Sequence, residues 1–244
     1  MGEHRVQRHT TETSGASYRG IPIYAEPGTH EAIFEIFSAS VPRGRVLELG
    51  AGAGAFSRRL ADSGYDVLSS DIDGENYRGG ADFKAADLNT RFSETFTGES
   101  FAAVIALEVL EHLENPLHFL REVARLLDGG NSLWVSFPNI YLFSAIQHFV
   151  RSGEFVHWSR QQYWDTGHQT ILTDWLFRAH CEKCGLAVKR QFYCNPIALH
   201  RAYPGFVKRA LGWSLMTAAT AVSGISAEAR RAESVLFEVV RKNA

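Results

Sequence analysis

Apolar residues along this chain alternate between two periods, and the alternation predicts the elements. Ala32, Ile33, Ile36 and Phe37 fall on one side of a 3.6-residue period after Pro27 and Gly28, so a helix is expected there, ended by Pro42 and Gly44. Short apolar runs at 46–49, 67–70, around Phe83, at 101–107 and at 132–137 are bounded by turn residues and read as strands. Helical stretches separate them. One covers about 53–63. Another opens on Asn115 as N-cap and Pro116 in the first turn, carries Leu117, Leu120, Val123, Leu126 and Leu127 on its buried stripe, and stops at Gly129 and Gly130. Strand–helix alternation implies an α/β fold: a doubly wound, mostly parallel sheet with helices on both faces and its ligand at the carboxyl ends of the strands.

The pattern changes after Pro138. Residues 139–168 are too long for a simple connection and are rich in aromatics such as Tyr141, Phe149, Trp158 and Trp164, which predicts a substrate lid. A helix from Thr173 to Gly185, a strand over 186–194, a helical excursion over about 204–227 and a last strand over 234–241 complete the chain. Residues 1–20 show no period and are expected to form a flexible arm, with 21–244 as a single domain.

Composition narrows the class. With 244 residues, 45% hydrophobic and 21% charged, the chain is expected to fold around a sizeable core, and collagen-like, coiled-coil and mostly disordered proteins are excluded. Three cysteines are too few for a disulfide framework, and the polar start lacks the apolar core of a signal peptide, so a cytoplasmic protein is expected. The net charge of -2 hides a division: residues 42–128 hold 15 acids and 9 bases, whereas 129–244 hold 7 and 13. An acidic first half suits a cationic ligand, and a basic second half suits an anionic substrate or membrane surface.

The chemistry concentrates at strand ends. Val46-Leu47-Glu48-Leu49-Gly50-Ala51-Gly52-Ala53-Gly54 places glycines where a strand turns into a helix, so the backbone can approach a ligand and the helix can offer unpaired N–H groups. Asp71 ends the next strand 21 residues after Gly50, the position from which a carboxylate reaches both ribose hydroxyls of an adenosine. Nicotinamide dinucleotides and S-adenosylmethionine share this arrangement. Glu48 favours the second, because a carboxylate at that turn repels a pyrophosphate and suits an amino acid bearing a sulfonium.

Glu48 to Gly54 reads E-x-G-x-G-x-G, and with Asp71, Ala86-Asp87-Leu88 and Leu107-Glu108-Val109-Leu110-Glu111-His112 in the same order it resembles the class I S-adenosylmethionine-dependent methyltransferases. The resemblance covers about residues 30–140, and the last strand fits that family's reversed closing hairpin. It implies S-adenosyl-L-methionine as cofactor, with Glu48, Gly50, Ala51 and Gly52 around the methionine portion, Asp71 and Ile72 at the ribose, Asp87 and Leu88 at the adenine, and Leu107 with Glu108 at the transferring end. Asp87 could instead shape a turn, and Asp73 belongs to the loop.

The spacing Glu108-x-x-Glu111-His112, taken with His168, resembles two branches: quinone-biosynthesis O-methyltransferases, and small-RNA 2′-O-methyltransferases in which two glutamates and two histidines hold a divalent metal. Glu108, Glu111, His112 and His168 would form that set here, and oxygen with imidazole ligands suits Mg²⁺, Mn²⁺ or Fe²⁺. A metal-free site, with Glu108, His112 and His168 catalytic, is preferred over it; a purely structural role also stays open, with Glu111 capping the following helix, His112 packing and His168 bonding the Thr173 turn. The expected reaction is O-methylation of a small-molecule, glycan or lipid-linked acceptor. RNA is disfavoured by the sequence pI of about 6.6. A nicotinamide-dependent oxidoreductase and a non-catalytic adenosine-binding module remain open. Cys181 and Cys184 lie inside one helix with no second pair, so zinc is not expected. The uncharged run 210–227 packs on the domain or at a dimer interface, or else rests on a membrane.

Overall fold

The computed structural model describes residues 15–197 and 206–242. A small hairpin comes first, β1 (Ser17–Tyr18) and β2 (Ile21–Pro22), followed by α1 (Thr29–Ser40), β3 (Arg45–Leu49), α2 (Ala55–Asp62), β4 (Asp66–Asp71) and β5 (Asp82–Ala85). Then come β6 (Ala103–Leu107), α3 (Pro116–Leu126), β7 (Ser132–Pro138), α4 (Phe143–Ser152), α5 (Arg160–Asp165), α6 (Asp174–Lys183), β8 (Leu186–Pro196), α7 (Phe206–Ser223) and β9 (Ala232–Arg241). The main sheet has seven strands in the order β5-β4-β3-β6-β7-β9-β8. All neighbouring pairs are parallel except the two made by β9, which runs reversed between β7 and β8.

Alternation along each strand builds two cores. Leu47, Leu49, Val104, Ala106, Leu133, Val135 and Phe237 face Phe119, Leu120 and Val123 of α3 and Phe177 of α6. Val46, Val67, Ile105, Trp134 and Leu236 face Ile33 and Phe37 of α1 and Phe56 and Leu60 of α2. A parallel sheet covered on both sides gives the continuous apolar runs seen in the sequence. The expected caps are in place: Asn115 accepts from the His118 amide and Thr173 from the Leu176 amide.

The arm expected over 1–20 ends in ordered structure. Arg19 and Gly20 both take positive φ, 53° and 78°, as a tight hairpin turn between β1 and β2 requires. Residues 1–14 and the 198–205 stretch, including the expected start of the helical excursion at 204, lie outside the described residues. Among those that are described, no helix is long and apolar enough to cross a membrane. α7 buries Met216 and exposes Trp213, Leu215 and Val222, while Arg230 closes its carboxyl end through Ser223 at 2.6 Å.

Candidate active site

The glycine turn is tied to the neighbouring strand by its own backbone. The Gly50 and Ala51 amides donate to the Ser70 carbonyl at 2.8 and 3.0 Å, and the Gly52 amide donates to Oδ2 of Asp71 at 2.7 Å. The other oxygen of Asp71 accepts from the Ile72 amide at 2.7 Å. Burial raises the Asp71 carboxyl above its ordinary pKa, with the two amide donors pulling the other way. Gly54, at φ 88°, has no room for a side chain, because a Cβ would stand 2.6 Å from the Gly79 nitrogen. Ile72 lies 54% exposed past the end of β4, whereas Leu88 and Leu107 are buried. Asp87 accepts from the Asn89 amide at 2.9 Å and shapes its own turn, and Asp73 does the same with Glu75.

Glu48 departs from the charge argument made for it. Its side chain points to the α2 side of the sheet, only 4% exposed, where the Ser57 hydroxyl donates to Oε2. Ser69 donates to Ser57 at 2.9 Å and pairs with the Tyr77 hydroxyl at 2.8 Å, extending a buried polar chain. Burial pushes the carboxyl up to about 8, so it is protonated near neutral pH. Desolvation disfavours the negative charge expected of Glu48 from sequence, and its bond to Ser57 stitches β3 to α2.

The Glu108-x-x-Glu111-His112 segment splits into two environments. Glu108 takes a positive φ of 52° and turns its carboxylate to the neighbouring strands, accepting from Ser136 at 2.6 Å and Ser234 at 3.3 Å. Burial raises it to about 7. Glu111 is 1% exposed, and neither carboxylate oxygen has a hydrogen-bond partner among the described residues. Burial, and then the Glu108 charge, raise it well above the usual carboxylate range. Beside it the rings of His112 and His168 meet edge to face with centroids 4.6 Å apart.

Residues 157–170 supply this second environment. The Gln169 and Thr170 amides donate to the Glu111 carbonyl at 2.9 and 3.0 Å, and the Thr170 hydroxyl donates to the Leu113 carbonyl at 2.6 Å. His168 Nδ1 lies 2.7 Å from the His157 carbonyl, which can only accept, so Nδ1 carries the proton and Nε2 keeps its lone pair. Burial lowers His168 to about 4, so the ring is neutral. His157 sits with its Nε2 3.8 Å from Glu233. Burial works against its charge, but Glu233 and other acids outweigh it and raise its pKa.

Ligand atoms of Glu111, His112 and His168 all lie within 4.8 Å of one another, and Glu108 stands outside that cluster. A carboxylate with two orphaned buried oxygens beside two imidazoles fits a divalent cation, which would neutralise it. Cys181, buried with its thiol pushed up to about 12, is outside the cluster. Motif spacing could not have found Ser136, Ser234, His157 or Glu233. They reach the site from β7, β9 and the loop between α4 and α5, and carry no local signature.

A mostly parallel sheet with a glycine turn bonded to a strand-end aspartate is the architecture of a nucleoside-binding α/β domain, here with a polar cluster past β6. A family model described as a methyltransferase domain matches residues 28–191. Curated relatives include the ubiquinone biosynthesis O-methyltransferases of Xanthomonas campestris pv. campestris (strain B100), 32% identical over 108 residues covering 41% of this chain and 45% of the relative, and of Parvibaculum lavamentivorans, 28% over 103 residues covering 39% and 40%. The chain spans less than half the length of these relatives. Similar solved structures include a SAM dependent methyltransferase from Archaeoglobus fulgidus, TM-score 0.61 at 11% identity, covering 84% of this chain and 90% of that one. Magnesium protoporphyrin IX methyltransferase from Synechocystis PCC 6803 with bound SAH gives 0.56 at 19%, covering 88% and 84%. At these identities the structural likeness is one of fold. The chain belongs to the methyltransferase-domain family.

Proposed function

We propose that this chain binds S-adenosylmethionine and transfers its methyl group to a hydroxyl oxygen of a small acceptor, a phenol of the quinone-precursor kind, free or lipid-linked. The observation that carries this reading is the buried cluster of Glu111, His112 and His168 past the end of β6. An oxygen nucleophile must lose a proton near neutral pH, and a neutral imidazole or a cation-bound hydroxyl meets that need. The relatives' names, ubiquinone biosynthesis O-methyltransferase, support an oxygen acceptor.

Methyl transfer is an in-line displacement on a sulfonium, so alignment and exclusion of water supply much of the rate. In this reading Gly50, Ala51 and Gly52 hold the amino-acid portion, Asp71 and Ile72 the ribose, and Asp87 and Leu88 the adenine. Leu107 and Glu108 then face the reacting end. The lid closes the acceptor side with His168 fixed by the His157 carbonyl, its Nε2 lone pair free to accept the acceptor's proton or to bind a cation. Glu111, His112 and His168 would hold a divalent cation, and that cation would acidify the acceptor hydroxyl.

The test is an acceptor panel of catechols, monophenols, lipid-linked phenols, glycans and short RNAs, with S-adenosylmethionine and mass detection of products. Methylated phenol with stoichiometric S-adenosylhomocysteine is expected. Methylation on nitrogen or carbon alone, or of RNA alone, would reject the proposal.

A further inference from the structure

The segment preceding α1 lies against the glycine turn, outside every motif of the cofactor site. Ile21 and Ile23 are buried against Ala53 and Ala55, which begin α2. On one side the hairpin is pinned to α2, where Asp62 accepts from the Tyr18 hydroxyl at 3.1 Å and from Arg19 at 3.2 Å, and the Arg59 guanidinium lies 4.3 Å over the Tyr18 ring. On the other side Asn195 of β8 donates to the Pro27 carbonyl at 2.9 Å. Between these anchors the chain must cross the mouth of the glycine turn.

Tyr24 stands at that crossing. Gly52, with φ 54°, directs its missing side chain at the ring: a Cβ there would come 3.2 and 3.4 Å from Cδ2 and Cε2 of Tyr24. The amide of this same glycine is bonded to Asp71. Tyr24 is nevertheless 44% exposed, and its hydroxyl makes no hydrogen bond among the described residues. A large aromatic held against a bare glycine backbone, with its remaining surface open, is unfinished packing of the kind a ligand completes.

We propose that Tyr24 is a cofactor-contacting residue, its ring covering the methionine–ribose portion of S-adenosylmethionine where that portion passes Gly52 and Asp71. The segment 15–28 is then a strap that bound cofactor tightens. Apolar cover at this point shields the sulfonium carbon from water, and an aromatic face near a cation adds attraction. The inference rests on the cofactor assignment, and the experiment separates the two.

Calorimetry with S-adenosylhomocysteine on the wild-type protein, Tyr24→Phe and Tyr24→Ala decides it, with trypsin cleavage after Arg19 followed with and without that ligand. The expected result is at least about tenfold weaker binding for Tyr24→Ala, binding within about threefold of wild type for Tyr24→Phe, and slower cleavage in ligand-bound wild type. The cleavage measurement needs no variant, so it holds even if Tyr24→Ala folds poorly. Wild-type binding with Tyr24→Ala unaffected, or cleavage unchanged by ligand, overturns the strap alone. Equal losses in both variants overturn the ring contact in favour of the hydroxyl. No binding by wild type overturns the cofactor assignment and the strap together.

Discussion

The Gly52 amide and Oδ2 of Asp71 lie 2.7 Å apart, so the carboxylate proposed for the ribose also holds the glycine turn in place. Under that proposal Asp71→Ala removes two things at once, a ligand contact and an internal brace. A charge-assisted hydrogen bond contributes about 1.5–3 kcal/mol, so S-adenosylhomocysteine should bind at least about tenfold more weakly. The midpoint of urea unfolding should fall as well, because the Gly52 amide loses its acceptor. Unchanged affinity with lowered stability would leave Asp71 as a brace only.

Two glycines with the same backbone twist should respond differently to alanine. Gly54 and Gly64 have φ of 88° and 86°, but a Cβ at Gly54 would strike the Gly79 backbone, whereas nothing lies within 4 Å at Gly64. Gly64→Ala should cost only the left-handed strain, about 1–2 kcal/mol. Gly54→Ala should cost clearly more, since a backbone atom cannot rotate away. Urea denaturation of both variants measures the difference, and equal losses would show that the turn at 54 relaxes freely.

These predictions draw on features that were unequally legible in the sequence. The strand–helix order, the glycine turn and the position of Asp71 follow from local period and turn chemistry, and the Asn115 and Thr173 caps were readable one residue at a time. The Glu108-x-x-Glu111-His112 spacing marked a chemical segment but could not say where each side chain would go. That depended on the positive φ of Glu108 and on Ser136 and Ser234 waiting on β7 and β9, far along the chain. Glu48 differs again: its residue type fits the motif, but its ionisation depends on burial that only packing decides. Tyr24 sits before the first long helix and outside every motif, so only its contact with Gly52 singles it out.

Glu48 also sets a pH dependence whose sign is definite. Its native carboxyl is raised from 4.5 to about 8, so between those values the folded chain binds a proton that the unfolded chain lacks. Its contribution to stability is complete below about 4.5 and is lost as pH rises through about 8. Glu48→Gln keeps the neutral form at every pH. The variant's stability relative to wild type should therefore rise from pH 5 to pH 9, by about 1 kcal/mol or more. Glu108 and Glu111, raised in the same direction, are present in both proteins and cancel from the difference. Urea unfolding at several pH values checks this, and a pH-independent difference would mean that Glu48 is ionised in its pocket.

His112, His168 and Glu111 carry the chemical proposal, and their substitution distinguishes its two forms. With Nδ1 held by the His157 carbonyl, His168 can offer only Nε2, whether to a proton or to a cation. His112→Ala and His168→Ala should each lower turnover about 100-fold or more, while S-adenosylhomocysteine affinity stays within about threefold, because neither ring belongs to the glycine turn or the Asp71 side of the pocket. Glu111→Gln separates the mechanisms. If the cluster holds a divalent cation, this change and exhaustive chelation should both abolish activity, and added Mg²⁺ or Mn²⁺ should restore the chelated wild type but not the variant. If an imidazole acts as base alone, activity survives chelation, and Glu111→Gln stabilises the fold by replacing a buried carboxyl without partners with a neutral amide. Turnover in both histidine variants at the wild-type rate would remove proton transfer from the cluster altogether.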